Sequence, residues 1–166
     1  MTPGQLNIQP DRIEKDAKSM SIAGLSMKCA SVEEMRKIPV LWQELEAHKG
    51  KVPGQKGNIA CGLCIEAEDG KGIEYIAGVE VSGTDNLPED FVAKELPSFT
   101  YAVFEHKGHT STIPQTCDAI WKEWIPESGA QKPEKADFFF ERYGEGFDPQ
   151  KGKGDIEIWV PVELNQ

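Results

Sequence analysis

The chain is short of positive charge. Eighteen Lys and Arg residues face 28 Asp and Glu, a formal net charge of −10. Phosphate contacts need a basic footprint, so this balance argues against direct nucleic-acid binding and is consistent with cationic ligands. Long apolar runs are also missing. Nothing approaches the roughly 20 residues of a membrane span. The first twenty residues are polar, with Pro3, Gly4 and Pro10, and lack the apolar core of a signal peptide. A cytoplasmic protein with no membrane partner is the expectation. Histidine is scarce (His48, His106 and His109), and no second Cys pair accompanies Cys61 and Cys64. A zinc site would need more ligands, and neither a metal nor a cofactor is expected. Cys29, Cys61, Cys64 and Cys117 sit in apolar or strand-like contexts, as reduced, buried thiols do.

What is present suits a folded α+β domain. Residues 1–19 read as a flexible leader and residues 20–166 as one domain. A strand is expected over 21–30. Ser31 with Glu34 fits a capping box opening a helix that runs to about residue 48, kinked or restarted at Pro39. Strands follow at 58–66 and 72–81, joined through the Asp69-Gly70 turn signal. A linker, 83–97, holds a short strand near 91–94. The order then repeats: a strand at 99–106, a helix from 113 to about 124, and strands at 137–143 and 155–163. Residues 21–24 align with 100–103, and Trp42-Gln43-Glu44-Leu45 with Trp121-Lys122-Glu123-Trp124, both offset by 79. Residues 74–80 resemble 157–163, offset by 83. The expected architecture is therefore two tandem β-α-β-β repeats, about 20–82 and 98–164. They form antiparallel sheets with helices on one face and a ligand groove between the repeats.

The strand at 137–143 carries the candidate chemistry. Side chains alternate, so Phe139, Glu141 and Tyr143 share one face and Phe138, Phe140 and Arg142 the other. A carboxylate between two rings is costly in a core unless paired, yet lining a cleft it attracts a greasy cation. In the last strand Ile156, Ile158, Val160 and Val162 read as the helix-packed face, which directs Trp159 to the groove. Trp42 and Trp121 occupy matching positions on the two helices, as core or groove-wall residues. Glu105 is either a second site carboxylate or a solvated strand end. Cys61 and Cys64 have redox spacing, but in a strand they point to opposite faces.

The segments Tyr101-Ala102-Val103-Phe104-Glu105-His106-Lys107-Gly108, Ile120-Trp121-Lys122-Glu123-Trp124-Ile125-Pro126-Glu127-Ser128-Gly129, 138–143 and Ile156-Glu157-Ile158-Trp159-Val160-Pro161-Val162 resemble the gyrase-inhibitor-like small-molecule-binding family. The same domain is the effector-binding part of AraC-type and multidrug-responsive activators. The resemblance implies paired β-α-β-β units and a buried glutamate ringed by aromatics that holds lipophilic cations. Glu141 matches that glutamate, Tyr143 and Trp159 match ring positions, and Trp42 and Trp121 match helix-wall positions. With no room for a helix-turn-helix or coiled-coil linker, the expected function is a stand-alone binder of amphipathic cationic aromatic compounds. The alternative is a hydrolase opening electrophilic cyclopropane-type compounds, with Glu141 or Glu105 as general base. DNA gyrase enters as a protein partner by family analogy alone.

Overall fold

The computed structural model describes residues 8–48, 50–67 and 70–164. Eight strands form one antiparallel sheet: β1 (Arg12–Ala17), β2 (Met20–Cys29), β3 (Gln55–Glu66), β4 (Ile73–Val81), β5 (Val92–Leu96), β6 (Phe99–His106), β7 (Phe138–Tyr143) and β8 (Ile156–Pro161). Their spatial order is β1-β6-β8-β7-β3-β4-β2-β5. The halves are thus fused edge to edge through β3 and β7. The first helical connection is α1 (Val32–Met35) and α2 (Ile38–Glu46). It is broken near Pro39 because proline cannot donate to a preceding turn. Ser31 Oγ accepts the Glu34 N–H at 3.2 Å, and the Glu34 carboxylate reaches back to the Ala30 N–H at 3.3 Å. The second connection runs α3 (Ile113–Ala119), a π-helical turn Ile120–Trp124 and α4 (Ile125–Ser128). Pro126 does not end it, because it sits in the first turn of α4, where no N–H is needed. Gly129, at φ 76°, closes it. Among the described residues, no helix is long and apolar enough to cross a membrane. The β3–β4 hairpin forms as expected, although Asp69 of its turn lies outside the described residues.

The expected flexible leader is corrected in part. Residues 1–7 lie outside the described residues, but β1 pairs with β6, Arg12 opposite Val103 and Glu14 opposite Tyr101. Ile13 packs on the second-half core and Arg12 bonds Glu157 at 2.6 Å. The segment hid as a strand because its other side chains are charged. Its counterpart before the second repeat is β5, which pairs with β2. Each half therefore lends its leading strand to the outer edge of the other, which interlocks the repeats.

The two faces of the sheet are buried differently. On one, α2 covers Leu25, Tyr75, Ala77 and Val79, while the second helical connection covers Phe104, Ile156, Ile158 and Val160. The other has no helix. There the sheet curls so that Ile22 and Ile76 of the first half share a cluster with Tyr101, Phe138 and Phe140 of the second. This overturns the expectation that helix-free faces line a groove. Without helices to cover them, those faces bury their apolar area by closing on each other. The seam between the halves lies on the helical side, where the two helical connections flank β3 and β7. Cys61 and Cys64 do point to opposite faces, and both are free thiols.

Candidate functional site

Glu141 stands at the centre of that seam. In the β3–β7 register it lies directly opposite Gly62. The two positions are related by the repeat offset of 79, so the pseudo-two-fold axis of the duplication passes between them. One half supplies a carboxylate and the other supplies space. A Cβ on Gly62 would stand 2.6 Å from Glu141 Oε1 and closer still to the Tyr75 hydroxyl. Glycine is needed here for steric clearance rather than for an unusual backbone angle.

Only 8% of Glu141 is exposed. Two phenols satisfy one of its oxygens: Tyr143 Oη donates to Oε1 at 2.7 Å and Tyr75 Oη donates to Oε1 at 2.9 Å. Trp42 Nε1–H in turn donates to Tyr75 Oη at 3.0 Å. Glu141 Oε2 has no hydrogen-bond partner among the described residues, nor is it a sealed, unpartnered atom. No Lys or Arg among them forms an ion pair with Glu141. Burial raises its pKa above the ordinary 4.5, and the two hydroxyl donors pull in the opposite direction without cancelling the rise. The phenols remain protonated donors, because burial, and then the nearby carboxylate, hold Tyr75 and Tyr143 well above the usual tyrosine range.

Aromatic rings from both halves wall this carboxylate. Trp42, on α2, meets Tyr143 edge-on with centroids 5.3 Å apart, and Tyr75 at 6.4 Å. Trp121, in the π-helical turn, lies 4.8 Å from Phe139. Trp42 and Phe139 each pack against both helix-side cores, bridging the seam. A π turn re-aims the side chains it carries, and such turns recur at functional sites. Cys64 lies between Phe139 and Tyr75 in the strand register, and Cys117 lies one helical turn before Trp121. Burial first, and then the Glu141 charge, push the Cys117 thiol up to about 12, which leaves it unreactive.

Of the residues expected from sequence, Glu141, Tyr143, Phe139, Trp42 and Trp121 come together. Trp159 and Glu105 do not. Trp159 pairs with Phe140, not with Glu141, and stacks on that ring at 5.4 Å on the opposite face of the sheet. Its indole N–H donates to Glu157 at 3.1 Å, and Arg12 lies over its ring at 5.5 Å. The Ile face of β8 is helix-packed as expected, but the groove is on that side too. Glu105 is exposed, opposite Glu157 on the same helix-free face. The sequence reading missed Tyr75 and Gly62. The repeat offset applied to Glu141 points to Gly62; no comparable signal marks Tyr75, which alternation alone places with the core.

Comparison with known proteins identifies the family and the fold. The model of the GyrI-like small molecule binding domain matches residues 12–163. A 124-residue stretch is 28% identical to the transcriptional regulator BrlR of Pseudomonas aeruginosa, covering 74% of this chain and 45% of that protein. The chain thus spans about half the length of this curated relative. The structure of SAV2435 bound to tetraphenylphosphonium superposes with a TM-score of 0.72 at 24% identity, over 92% of this chain and 93% of that one. The C-terminal domain of EcmrR gives 0.65 at 14% identity, over 93% and 98%. Both share the curled antiparallel sheet with its half-barrel groove. The chain belongs to the GyrI-like small-molecule-binding family.

Proposed function

We propose that the seam binds amphipathic aromatic cations, with Glu141 as counter-charge and Trp42, Tyr75, Tyr143, Trp121 and Phe139 as walls. The observation that carries this reading is a buried carboxylate with two neutral hydroxyl donors and no basic partner among the described residues. Such a group is destabilising by itself and gains most from a guest bringing positive charge. A cation over a Trp or Tyr ring gains roughly 2 kcal/mol when desolvated. A carboxylate about 4 Å away adds roughly 4 kcal/mol of gross attraction at an effective dielectric of 20. These forces have little directionality, so the site accepts a range of flat or bulky cations. Trp42 packs on Tyr143 and Trp121 on Phe139, so a guest enters by parting these rings. The ligand-bound relative points to the same class of guest. Its role is sequestration of such compounds or reporting their presence to a regulator.

A titration of intrinsic tryptophan fluorescence with tetraphenylphosphonium tests the reading. Trp42 and Trp121 report directly. Saturable quenching at micromolar concentration is expected, competed by other aromatic cations and not by neutral analogues of the same shape. Equal competition by the neutral analogues would defeat it. The hydrolase alternative rests on Glu141 alone, since Glu105 is outside the seam.

A further inference from the structure

The outer side of α2 breaks two local rules at once. Val40 is 52% exposed, and Met35, just before the helix, is 43% exposed. Val40 lines a concavity of about 440 Å³ with Met27, Lys37, Leu41 and Glu44. The charges on this stripe also oppose the helix dipole. Lys37 sits at the N-cap, where a cation is disfavoured, and Glu44 lies in the last turn, where an anion is disfavoured. Neither has an ion-pair partner among the described residues. Local features set against their own element, with nothing among the described residues to offset them, mark a surface shaped by something else.

Position on the helix says what would offset them. Lys37, Val40 and Glu44 are spaced three and four residues apart, so they form one stripe. Turn a second α2 antiparallel about a two-fold axis beside Val40 and Leu41. Lys37 then faces Glu44 of the other copy, and Val40 meets the other copy's Val40–Leu41 edge. Each carboxylate arrives at the partner helix's N-terminus and each ammonium at its C-terminus, so one rotation corrects both charges and both dipoles. A self-complementary patch is what an isologous interface requires. We infer that the surface made by Lys37, Val40 and Glu44 of α2 with Met27 of β2 is a homodimer interface, occupied by the same surface of a second copy of this chain. Trp42 is on the same short helix and turns toward Glu141, so each interface would lie directly behind a ligand seam.

Sedimentation velocity over about 1–500 µM tests this, a range that brackets the micromolar constants of modest interfaces. The wild type should convert from monomer to dimer with rising concentration. Lys37→Glu and Glu44→Lys should each weaken the dimer by about tenfold or more, because the two-fold axis makes either change reverse both Lys37–Glu44 contacts. Mixing the two variants should restore it, because in the mixed dimer the two altered side chains face each other with opposite charge. Val40→Asp should abolish it. All three are solvent-facing changes, and unchanged tetraphenylphosphonium binding or far-UV circular dichroism confirms that each variant folds. A wild type that stays monomeric throughout overturns the inference. So does a dimer that survives Val40→Asp, or a mixture no tighter than its components.

Discussion

Replacing Glu141 with glutamine should move affinity and stability in opposite directions. The amide keeps an acceptor oxygen for the Tyr75 and Tyr143 hydroxyls, which now lie 2.9 and 2.7 Å from Oε1. Shape is conserved and only the charge is lost. Gross attraction to a cation about 4 Å away is roughly 4 kcal/mol at an effective dielectric of 20. Desolvating both charges offsets about half of that, leaving about 2 kcal/mol. Tetraphenylphosphonium should therefore bind about 30-fold more weakly to Glu141→Gln. Triphenylphosphine oxide, aromatic but uncharged, should bind both proteins alike. The unliganded variant should be as stable as the wild type or up to about 1 kcal/mol more so, because a buried, unpaired charge has been removed. Isothermal titration and urea denaturation read the two effects. Cation affinity within twofold of wild type, in a folded variant, would refute the counter-charge role.

Four further outcomes follow from the same geometry. Because the Glu141 pKa is raised above 4.5, cation affinity should begin to fall at a higher pH than an ordinary carboxylate would dictate; in the unliganded protein this group's stabilisation is full below 4.5 and lost as pH rises through the raised value, a slope that Glu141→Gln should remove from pH-dependent urea midpoints. Tyr75→Phe removes one donor to Glu141 and the acceptor of the Trp42 indole; a loss of about 1–2 kcal/mol in stability is expected, with the affinity–pH profile displaced upward. Gly62→Ala places a methyl group against Glu141 Oε1 and the Tyr75 hydroxyl; it should cost about 1–3 kcal/mol by overpacking, seen in thermal melts, and weaken the cation complex. Trp159→Ala should cost about 3 kcal/mol of stability by deleting a packed ring yet leave tetraphenylphosphonium affinity within about twofold, and a tenfold loss would place that ring in the site after all.

Much of this was legible in the chain. The duplicated order, the strand carrying Phe139, Glu141 and Tyr143, and the matching Trp42 and Trp121 follow from alternation and a constant offset. Strand alternation also says correctly that Ile158 and Trp159 face opposite ways. It cannot say which of the two sides carries the seam, because both sides of this sheet are buried. That depends on curvature, a property of all eight strands together. β1 was illegible for a different reason: Arg12, Glu14, Lys15 and Asp16 give it the composition of a solvated tail, and its pairing with β6 is with residues about ninety positions away. Tyr75 carried no mark because its hydroxyl meets Glu141 only after three strands have paired.

The exchange of leading strands has a consequence for biosynthesis. β1 leaves the ribosome first but has no partner until β6 emerges, and β3 keeps a bare edge until β7 is made. Pairings so distant in sequence form slowly. A nascent or truncated chain ending before Phe138 would display the hydrogen-bonding groups of residues 60–65 to any passing strand, an invitation to aggregate. Completion of the guest-binding seam and protection of that edge are therefore the same late folding event.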